Sequence, residues 1–271
     1  PPFGHAGEEA LDEVMEGHGG FDHNLHSLRV VDFLERRYPE FRGLNLSWEV
    51  RESTVKHGGA REHLDPEFEP GWSPLLEAQL ADVADSLAYT NHDIDDGLRS
   101  NFLRLEELRD IRLWKDAEEA VWTIHGPMDE KVMVARTVSY LIDRQVRDLV
   151  EATHARLEDG GIDSPEKVRD HRGDLVAFSP EMRELTDEMR TFLGERLYHH
   201  YRTLKMAGKA RRFLREMFRE YARDPRQLPP AYQEVVESEG VERAICDFLA
   251  GMTDRYCQEE YQRLFHPFER V

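Results

Sequence analysis

The sequence has 271 residues, with 36 basic against 55 acidic side chains and a formal net charge of −19. This charge argues against general binding of the surface to nucleic acid or to an anionic membrane, although it leaves room for local basic patches. The hydrophobic fraction of 39% is enough to bury a sizeable core, and no apolar run approaches the roughly 20 residues that cross a bilayer.

Helical periodicity dominates, and we find neither a convincing β-strand alternation nor an internal repeat. The pattern predicts an all-α fold. Glycine and proline clusters mark the expected breaks, and the segment 158–178, rich in Gly, Asp and His, is the best candidate for a mobile loop. The predicted helices span approximately 6–17, 23–38, 47–58, 71–97, 102–121, 129–157, 180–222 with a break near Tyr198, and 239–264.

The chain opens with PPFGHAGEEAL, which places His5 and Glu8 at a junction between a loop and the first predicted helix. A carboxylate three residues after a histidine at a helix start can fix the tautomer of the imidazole. The ring can then exchange a proton near neutral pH. Taken alone, the pair is better explained as a surface histidine beside a glutamate.

The window from Glu77 to Ser100 reads EAQLADVADSLAYTNHDIDDGLRS and has two faces. At about 100° per residue, its leucine, valine and isoleucine side chains fall in one stripe that faces the core. On the far side, Asp85, Tyr89 and Asp93 follow one another at intervals of four residues. One interpretation is a solvated acidic face. The other is a ligand site, because like charges at this spacing repel unless a cation offsets them, and a tyrosine between carboxylates suits a sugar or a base.

The two cysteines, Cys246 and Cys257, lie eleven residues apart, which is the spacing of neither a redox pair nor a zinc site. We expect buried thiols in a reducing, cytoplasmic setting.

Several motifs together resemble the bacterial deoxyguanosinetriphosphate triphosphohydrolase-like proteins of the HD superfamily. Besides the window at 77–100, they are HAGE at 5–8, FDHNLHSLRVV at 21–31, GLNLSWEVRESTVKHGG at 43–59, RTVSYLIDRQVRDLVEATHARL at 136–157, FSPEMRELTDEMRTFL at 178–193 and REMFREYARDPRQLPP at 215–230. Their number and order make the resemblance far more specific than any one motif. It implies an HD-domain helical fold with additional C-terminal helices. Residues 1–157 would form an HD-type catalytic core that lacks its N-terminal part, and residues 158–271 a C-terminal helical region packed on the core.

The resemblance also bears on the metal. In this family the catalytic loop usually reads His-Asp-x-Gly-His-Pro-Pro-Phe-Gly-His-x-Gly-Glu, and the chain enters that string at Pro1. The resemblance therefore implies that the His-Asp doublet and a further metal-binding histidine lie upstream. Of the family's two His and two Asp ligands, Asp85 matches the final Asp. Such ligands suit manganese, magnesium, iron, nickel or zinc, and a single carboxylate is expected to hold the metal only weakly.

The resemblance implies catalytic roles near the start of the chain. His5 and Glu8 match the family's catalytic histidine and its carboxylate partner. His23 matches a second active-site imidazole, and Asn24 a polar contact to the substrate. His26 departs from the family, which more often has glutamine at that position, so no role follows for it.

Substrate contacts are implied elsewhere in the chain. Tyr89 and Asp93 match positions that recognise the deoxyribose, the tyrosine packing on the sugar and the carboxylate accepting a bond from the 3′-hydroxyl. Lys56 and His57 are candidates for the triphosphate, because a polyanionic ligand requires local positive charge. Arg136 is a weaker candidate of the same kind. Ordinary surface charge is the other interpretation of these three residues.

These assignments predict metal-dependent hydrolysis of a deoxynucleoside triphosphate to the deoxynucleoside and tripolyphosphate, with His5 handling a proton. Two alternatives stay open: an HD phosphohydrolase acting on another phosphoester, and a non-catalytic nucleotide-binding regulator or inactive fragment. The family further implies a homo-oligomer. The basic segment 205–212 is either a solvated helix face or the contact site of an effector, a deoxynucleoside triphosphate or single-stranded DNA.

Overall fold

A computed structural model describes residues 1–57 and 66–267. Within these ranges the regular structure is helical, and the β-type pairing amounts to an isolated bridge between Arg36 and Gly43. The predicted all-α fold is confirmed. The chain packs as two compact units, one formed by residues 1–46 together with 201–271 and the other by residues 47–200.

Helices follow one another with short connections, and two of them continue into a π-helical turn, at Val30–Leu34 and Gly194–Tyr198. Such turns often occur at functional positions. In the part of the chain that is described, no helix combines the length and apolar character needed to cross a membrane. In chain order the α-helices are α1 (His5–Val14), α2 (His23–Arg29), α3 (Trp48–Val55), α4 (Leu76–Arg99), α5 (Leu105–Leu108), α6 (Arg112–His125), α7 (Glu130–Asp159), α8 (Pro165–Asp170), α9 (Pro180–Leu193), α10 (Tyr201–Arg223), α11 (Pro230–Glu239), α12 (Val241–Ala250) and α13 (Asp254–Phe265).

The unit formed by residues 1–46 and 201–271 is built around α12. Every residue of this helix from 244 to 250 is buried. Gly240 separates α12 from α11 with a φ of 96°, a backbone conformation that favours glycine. Leu214 and Met217 of α10 pack in the same core, which also includes Leu11 of α1.

Helix α1 lies along α10, and the loop before it is held close. An ion pair joins Glu9 of α1 to Arg211 of α10. A Cβ atom at Gly7 would lie 1.8 Å from the carbonyl oxygen of Pro2, so no larger residue fits there. This close approach fixes the first residues of the chain against α1.

The unit formed by residues 47–200 has its core between α4, α6, α7 and α9. Trp114 of α6, Leu141 of α7 and Met189 of α9 are fully buried in it. A buried polar contact adds specificity, because the Nδ2 of Asn91 on α4 donates to the Oε1 of Gln145 on α7 at 2.7 Å. This packing fixes the orientation of α4, which carries several predicted site residues.

Several predicted helix boundaries are wrong. The predicted helix 102–121 is two helices, α5 and α6. The predicted helix 239–264 is interrupted at Gly251, which ends α12. The prolines between 225 and 230 predict only a break, whereas Pro230 occupies the first position of α11, where its missing N–H has no consequence. The predicted helix end at Gly58 lies outside the described residues.

The segment 158–178 does not have the character of a mobile loop. Helix α8 lies within it, and residues 175–178 are all buried. The guanidinium of Arg156 donates to the carbonyls of Ala177 and Phe178. The predicted boundary between residues 157 and 158 falls inside α7 and stays a prediction.

Candidate functional site

The first candidate site, in the unit formed by the two ends of the chain, is centred on Glu8 and His23. The Oε1 of Glu8 accepts a hydrogen bond from the backbone N–H of His23 at 3.1 Å and lies 2.7 Å from its Nδ1. A carboxylate in this position holds the proton on Nδ1, so that Nε2 is left to exchange a proton with a ligand. The His23 side chain is 44% exposed. The pair therefore has the geometry of a general acid–base group open to solvent.

Helix α2 begins beside this pair with a side-chain cap. The Oδ1 of Asp22 accepts hydrogen bonds from the backbone N–H groups of Asn24 and Leu25, each at 2.9 Å. One ligand atom from each of Glu8, Asp22 and His23 lies within 4.8 Å of the others, so these three residues could hold a divalent ion. Asn24 is buried, and its predicted contact with the substrate stays a prediction.

His5 is exposed at the first position of α1. Among the described residues, no hydrogen bond or ion pair involves its side chain, and the carboxylate predicted as its partner contacts His23 instead. The loop before His5 is conformationally unusual, because Phe3 has a φ of 62° and Gly4 a φ of 56°. Such backbone is costly for a phenylalanine and tends to occur at functional sites. The catalytic role of His5 stays a prediction, without Glu8 as its partner.

The second candidate site lies on α4, in the unit formed by residues 47–200. The hydroxyl of Tyr198 donates to the Oδ2 of Asp93 at 2.5 Å. The rings of Tyr198 and Tyr89 are stacked, with centroids 6.1 Å apart and an interplanar angle of 28°. Tyr198 reaches this position from the π-helical turn that follows α9. Asp93 therefore lies beside two aromatic rings, of which that of Tyr89 is half exposed.

Partial burial changes the pKa values of Asp93 and of the two tyrosines beside it. Burial raises the pKa of Asp93 above its usual value, and the hydrogen bond from Tyr198 partly opposes this shift. Burial also raises the pKa of Tyr198, as does its bond to Asp93, and burial raises the pKa of Tyr89. Both phenols therefore keep their protons, and the hydroxyl of Tyr198 donates its proton to the Asp93 carboxylate.

Lys56, a predicted phosphate ligand, is buried and already bonded. Its Nζ donates to the Oε1 of Glu52 at 2.5 Å and to the backbone carbonyls of Glu69 and Trp72 at 3.1 and 3.0 Å. Arg169 of α8 donates to the other carboxylate oxygen of Glu52. We call Glu52, Lys56 and Arg169 the buried charge cluster. An ammonium has three donors, so direct binding of phosphate by Lys56 requires the loss of one of these bonds.

A cavity of about 480 Å³ adjoins α4 in the same unit. From α9, Arg183 and Arg190 line it, and Arg190 donates to the hydroxyl of Ser86 on α4. Asp82 and Asp187 also line the cavity and give it mixed charge. Arginine is the side chain best suited to phosphate oxygens, because its planar donors bind them in pairs.

The remaining predicted residues are His57, Arg136 and Asp85. His57 pairs with Asp82, which lines the cavity. Arg136 is exposed on α7, and Asp85 is exposed on α4. Within the described ranges Asp85 belongs to no group of three potential metal ligands. One carboxylate does not complete a coordination sphere, so Asp85 could serve only as one metal ligand among several.

Among the site residues that the sequence interpretation missed are Asp22, Arg190 and Tyr198. Asp22 could have been found, because an aspartate directly before a helix start is a common N-cap. Arg190 carried no signal beyond its place on an amphipathic helix. Tyr198 coincided only with a predicted break, and 105 residues separate it from Asp93. Contacts over such a separation are not visible in local periodicity.

The buried imidazole of His26 lies on the same helix as His23 of the first site. The Nδ1 of His26 on α2 is 3.7 Å from the Oδ1 of Asp247 on α12. Burial, aided by the positive charges of Arg29 and Arg243, lowers the pKa of His26 from 6.5 to about 4. The fold therefore favours the neutral imidazole. This preference stabilises the protein above pH 6.5, and the contribution is lost as the pH falls from 6.5 to 4.

Replacement of His26 by glutamine tests this pH dependence. Because glutamine takes up no proton, we expect His26→Gln to remove up to about 3 kcal/mol of the loss in stability on acidification. Urea unfolding at a series of pH values measures the free energy of unfolding for both proteins. Asp247 titrates in both, so the difference between the two curves isolates His26. Parallel curves between pH 6.5 and 4 would contradict the assignment.

Known proteins resemble this chain over nearly its whole length. Residues 176–263 match the Phosphohydrolase-associated domain family. A protein of Geobacter sulfurreducens named deoxyguanosinetriphosphate triphosphohydrolase-like protein is 45% identical over 273 residues, which cover 100% of this chain and 71% of that relative. A protein of the same name from Geobacter metallireducens has the same identity and coverage. A third, from Azoarcus sp. strain BH72, is 42% identical over 269 residues, covering 97% of this chain and 70% of the relative. The chain therefore belongs to the deoxyguanosinetriphosphate triphosphohydrolase-like family of the HD superfamily.

Proposed function

We propose that the protein hydrolyses deoxynucleoside triphosphates to the deoxynucleoside and tripolyphosphate, with the help of a divalent metal ion. The observation that carries the proposal is the arrangement of Tyr89, Asp93 and Tyr198, a partly dehydrated carboxylate beside two tyrosine rings. Aromatic faces pack on sugars and bases, and a carboxylate accepts a hydrogen bond from a sugar hydroxyl. The names of the relatives support a triphosphate as the substrate.

The cavity beside α4 supports a location for the phosphates. Ser86 precedes Asp93 by seven residues on the same helix, which corresponds to about 10 Å. A nucleotide whose deoxyribose contacts Asp93 can therefore extend its phosphates toward Ser86 and Arg190. We propose Arg190 as a phosphate ligand in preference to Lys56, because the donors of Lys56 are bonded within the buried charge cluster. His57 and Arg136 stay candidates for further phosphate contacts.

The proposed reaction transfers an oxygen to the α-phosphorus. A water oxygen forms a bond to this phosphorus, the bond from phosphorus to the 5′-oxygen breaks, and the 5′-oxygen takes up a proton. We assign that proton transfer to the Nε2 of His23, which takes a proton from the attacking water and passes it to the 5′-oxygen while Glu8 holds the proton on Nδ1, and we keep His5 as a second candidate. Asp85 stays a proposed ligand of the divalent ion, which would supply charge that offsets the phosphates and a water of lowered pKa where other residues complete its coordination.

A homo-oligomer and an effector also remain proposals. Tyr201, Leu204 and Met206 are exposed near the start of α10, and the ammonium of Lys205 lies 5.3 Å from the ring centre of Tyr201. Exposed aromatic and basic side chains of this kind suit a nucleotide or a single strand of nucleic acid.

Product analysis tests the proposed function. The full-length gene product is incubated with dGTP and manganese, and ion-exchange chromatography resolves the products. We expect deoxyguanosine and tripolyphosphate in equal amounts, with GTP turned over at least about tenfold more slowly. Orthophosphate or pyrophosphate as the product would favour a different phosphohydrolase. Binding of nucleotide without turnover of any of the four dNTPs would favour a regulator.

A pair of variants connects this activity to α4. Asp93→Asn is expected to raise the KM for dGTP by about tenfold or more, because a hydrogen bond to a charged acceptor is lost. Asp96→Asn is the matched control, since Asp96 is exposed three residues further along the same helix. Equal effects of the two substitutions would contradict the proposed contact with the sugar.

A further inference from the structure

Helix α2 carries His23 but has little apolar packing of its own. It is seven residues long, and its buried residues, Asn24 and His26, are both polar. Leu25 is exposed. Helices this short are not stable alone, and tertiary packing of an apolar face usually holds them. Besides the half-buried Leu28 and the π-helical turn that follows at Val30–Leu34, the position of α2 therefore depends on polar anchors.

The anchor at the C-terminal end is an ion pair with α12. The Nε of Arg29 donates to the Oδ1 and Oδ2 of Asp247 at 2.9 and 3.0 Å, and its Nη2 donates to Oδ2 at 2.7 Å. The Asp247 side chain has no exposed surface. Arg29 also pairs with Glu239 of α11 at 2.7 Å. A planar guanidinium held by two oxygens of one carboxylate is fixed in orientation as well as in distance.

The anchor at the N-terminal end is the candidate catalytic pair itself. Glu8 bonds to both the backbone N–H and the Nδ1 of His23, and Asp22 caps the helix. Two turns of helix thus connect the Arg29–Asp247 pair to His23. A rotation of the C-terminal end would be transmitted to the imidazole, because none of the fully buried side chains of α2 is apolar and able to resist it.

Of the residues that the structure describes, no lysine or arginine besides Arg29 is in ion-pair contact with the Asp247 carboxylate. The imidazole of His26 is 3.7 Å from Asp247, beyond hydrogen-bond distance, and burial favours its neutral form. The charge of Asp247 is therefore met by Arg29. We propose that Asp247 is a positioning residue which, through Arg29, fixes α2 so that the Nδ1 of His23 faces Glu8.

The expected effect of the positioning role on kcat rests on the proposed function, whereas its expected effect on the tautomer of His23 does not. The first readout is therefore the tautomer of His23, measured by long-range proton–nitrogen NMR at an alkaline pH where the ring is neutral. The second is kcat and KM for dGTP. Folded protein is verified by circular dichroism at the temperature of both measurements.

The variants are Asp247→Asn and Arg29→Lys, with Tyr221→Phe as the control. Asn keeps the shape of the carboxylate but removes its charge, and Lys keeps the charge of Arg29 but lacks the planar pair of donors. Tyr221 is buried in the same core as α12 and donates to Glu260 at 2.6 Å, so its replacement removes a tertiary hydrogen bond without touching α2.

We expect the wild-type protein to hold His23 in the Nδ1–H tautomer. Both variants should lower the ratio of Nδ1–H to Nε2–H tautomer severalfold. They should also lower kcat by about tenfold or more with KM changed less than about twofold, since a misplaced catalytic group slows turnover. Tyr221→Phe should lower the melting temperature and leave the tautomer ratio and kcat unchanged.

The outcomes separate the two claims. An unchanged tautomer ratio in Asp247→Asn overturns the positioning role, whatever the activity. A tautomer ratio that stays at the wild-type value in Arg29→Lys would also overturn it, because the positive charge alone, without the planar pair of donors, would then suffice to position His23. If the ratio falls in both variants while the wild-type protein hydrolyses no dNTP, the positioning role stands and the proposed function fails.

Discussion

Replacement of His23 by alanine is expected to lower kcat for dGTP by about 10²–10⁴-fold, the range found for a general acid–base group. The expectation rests on the bond between Nδ1 and Glu8, which leaves Nε2 as the group that exchanges the proton. The loss should appear in kcat, with the circular dichroism spectrum unchanged, because the side chain is part of the surface.

His18→Ala is the matched control for this experiment. His18 lies in the same compact unit, is 48% exposed against 44% for His23, and is 3.9 Å from the carboxylate of Glu242. Its exposure is therefore similar to that of His23, but it lies too far from its glutamate to form a hydrogen bond. A loss of activity of the same size in both variants, or none in His23→Ala, would contradict the catalytic assignment.

Glu52→Gln is expected to lower the free energy of unfolding by about 3–5 kcal/mol, the typical cost of breaking a buried ion pair. In the wild-type protein the carboxylate bonds to both Lys56 and Arg169, and it is almost completely buried. Its neutralisation removes the carboxylate charge that both buried cations contact. The guanidinium of Arg169 also lies 5.3 and 5.4 Å from the ring centres of Trp48 and Trp72, so it cannot easily move to solvent.

Urea unfolding measures this effect, and Glu67→Gln provides the control. Glu67 pairs with Arg51 at 2.6 Å in the same compact unit, but its side chain is 44% exposed. An exposed pair is expected to contribute less than about 1 kcal/mol. If both substitutions destabilised the protein equally, burial would not explain the contribution of the buried charge cluster to stability.

The helical class and the orientation of α4 were accessible from the sequence because both depend on local periodicity. Ile94 is buried on the predicted apolar side of α4 and Tyr89 is exposed on the other, as the 100° spacing indicates, whereas Leu80 of the predicted apolar stripe is 49% exposed. The start of α11 was not accessible, because Pro230 has opposite meanings inside a helix and at its first position.

Side-chain contacts between distant parts of the chain were the main feature that the sequence did not predict. The motif around Glu8 predicted a contact with His5, three residues away, while the structure pairs it with His23, fifteen residues away. The positive charge of Lys56 indicated a phosphate ligand. Its burial beside Glu52 was not visible in the sequence, because that burial depends on α8 and on the carbonyls of residues 69 and 72. Tertiary context of this kind leaves no periodic signal in the sequence.

The most direct test of the central claim is hydrolysis of dGTP in water enriched in ¹⁸O, followed by mass spectrometry of the products. Attack of water on the α-phosphorus predicts one ¹⁸O atom in each tripolyphosphate and none in deoxyguanosine. Label in orthophosphate, with dGDP as the other product, would contradict the proposed reaction and would assign the chain a different phosphohydrolase activity.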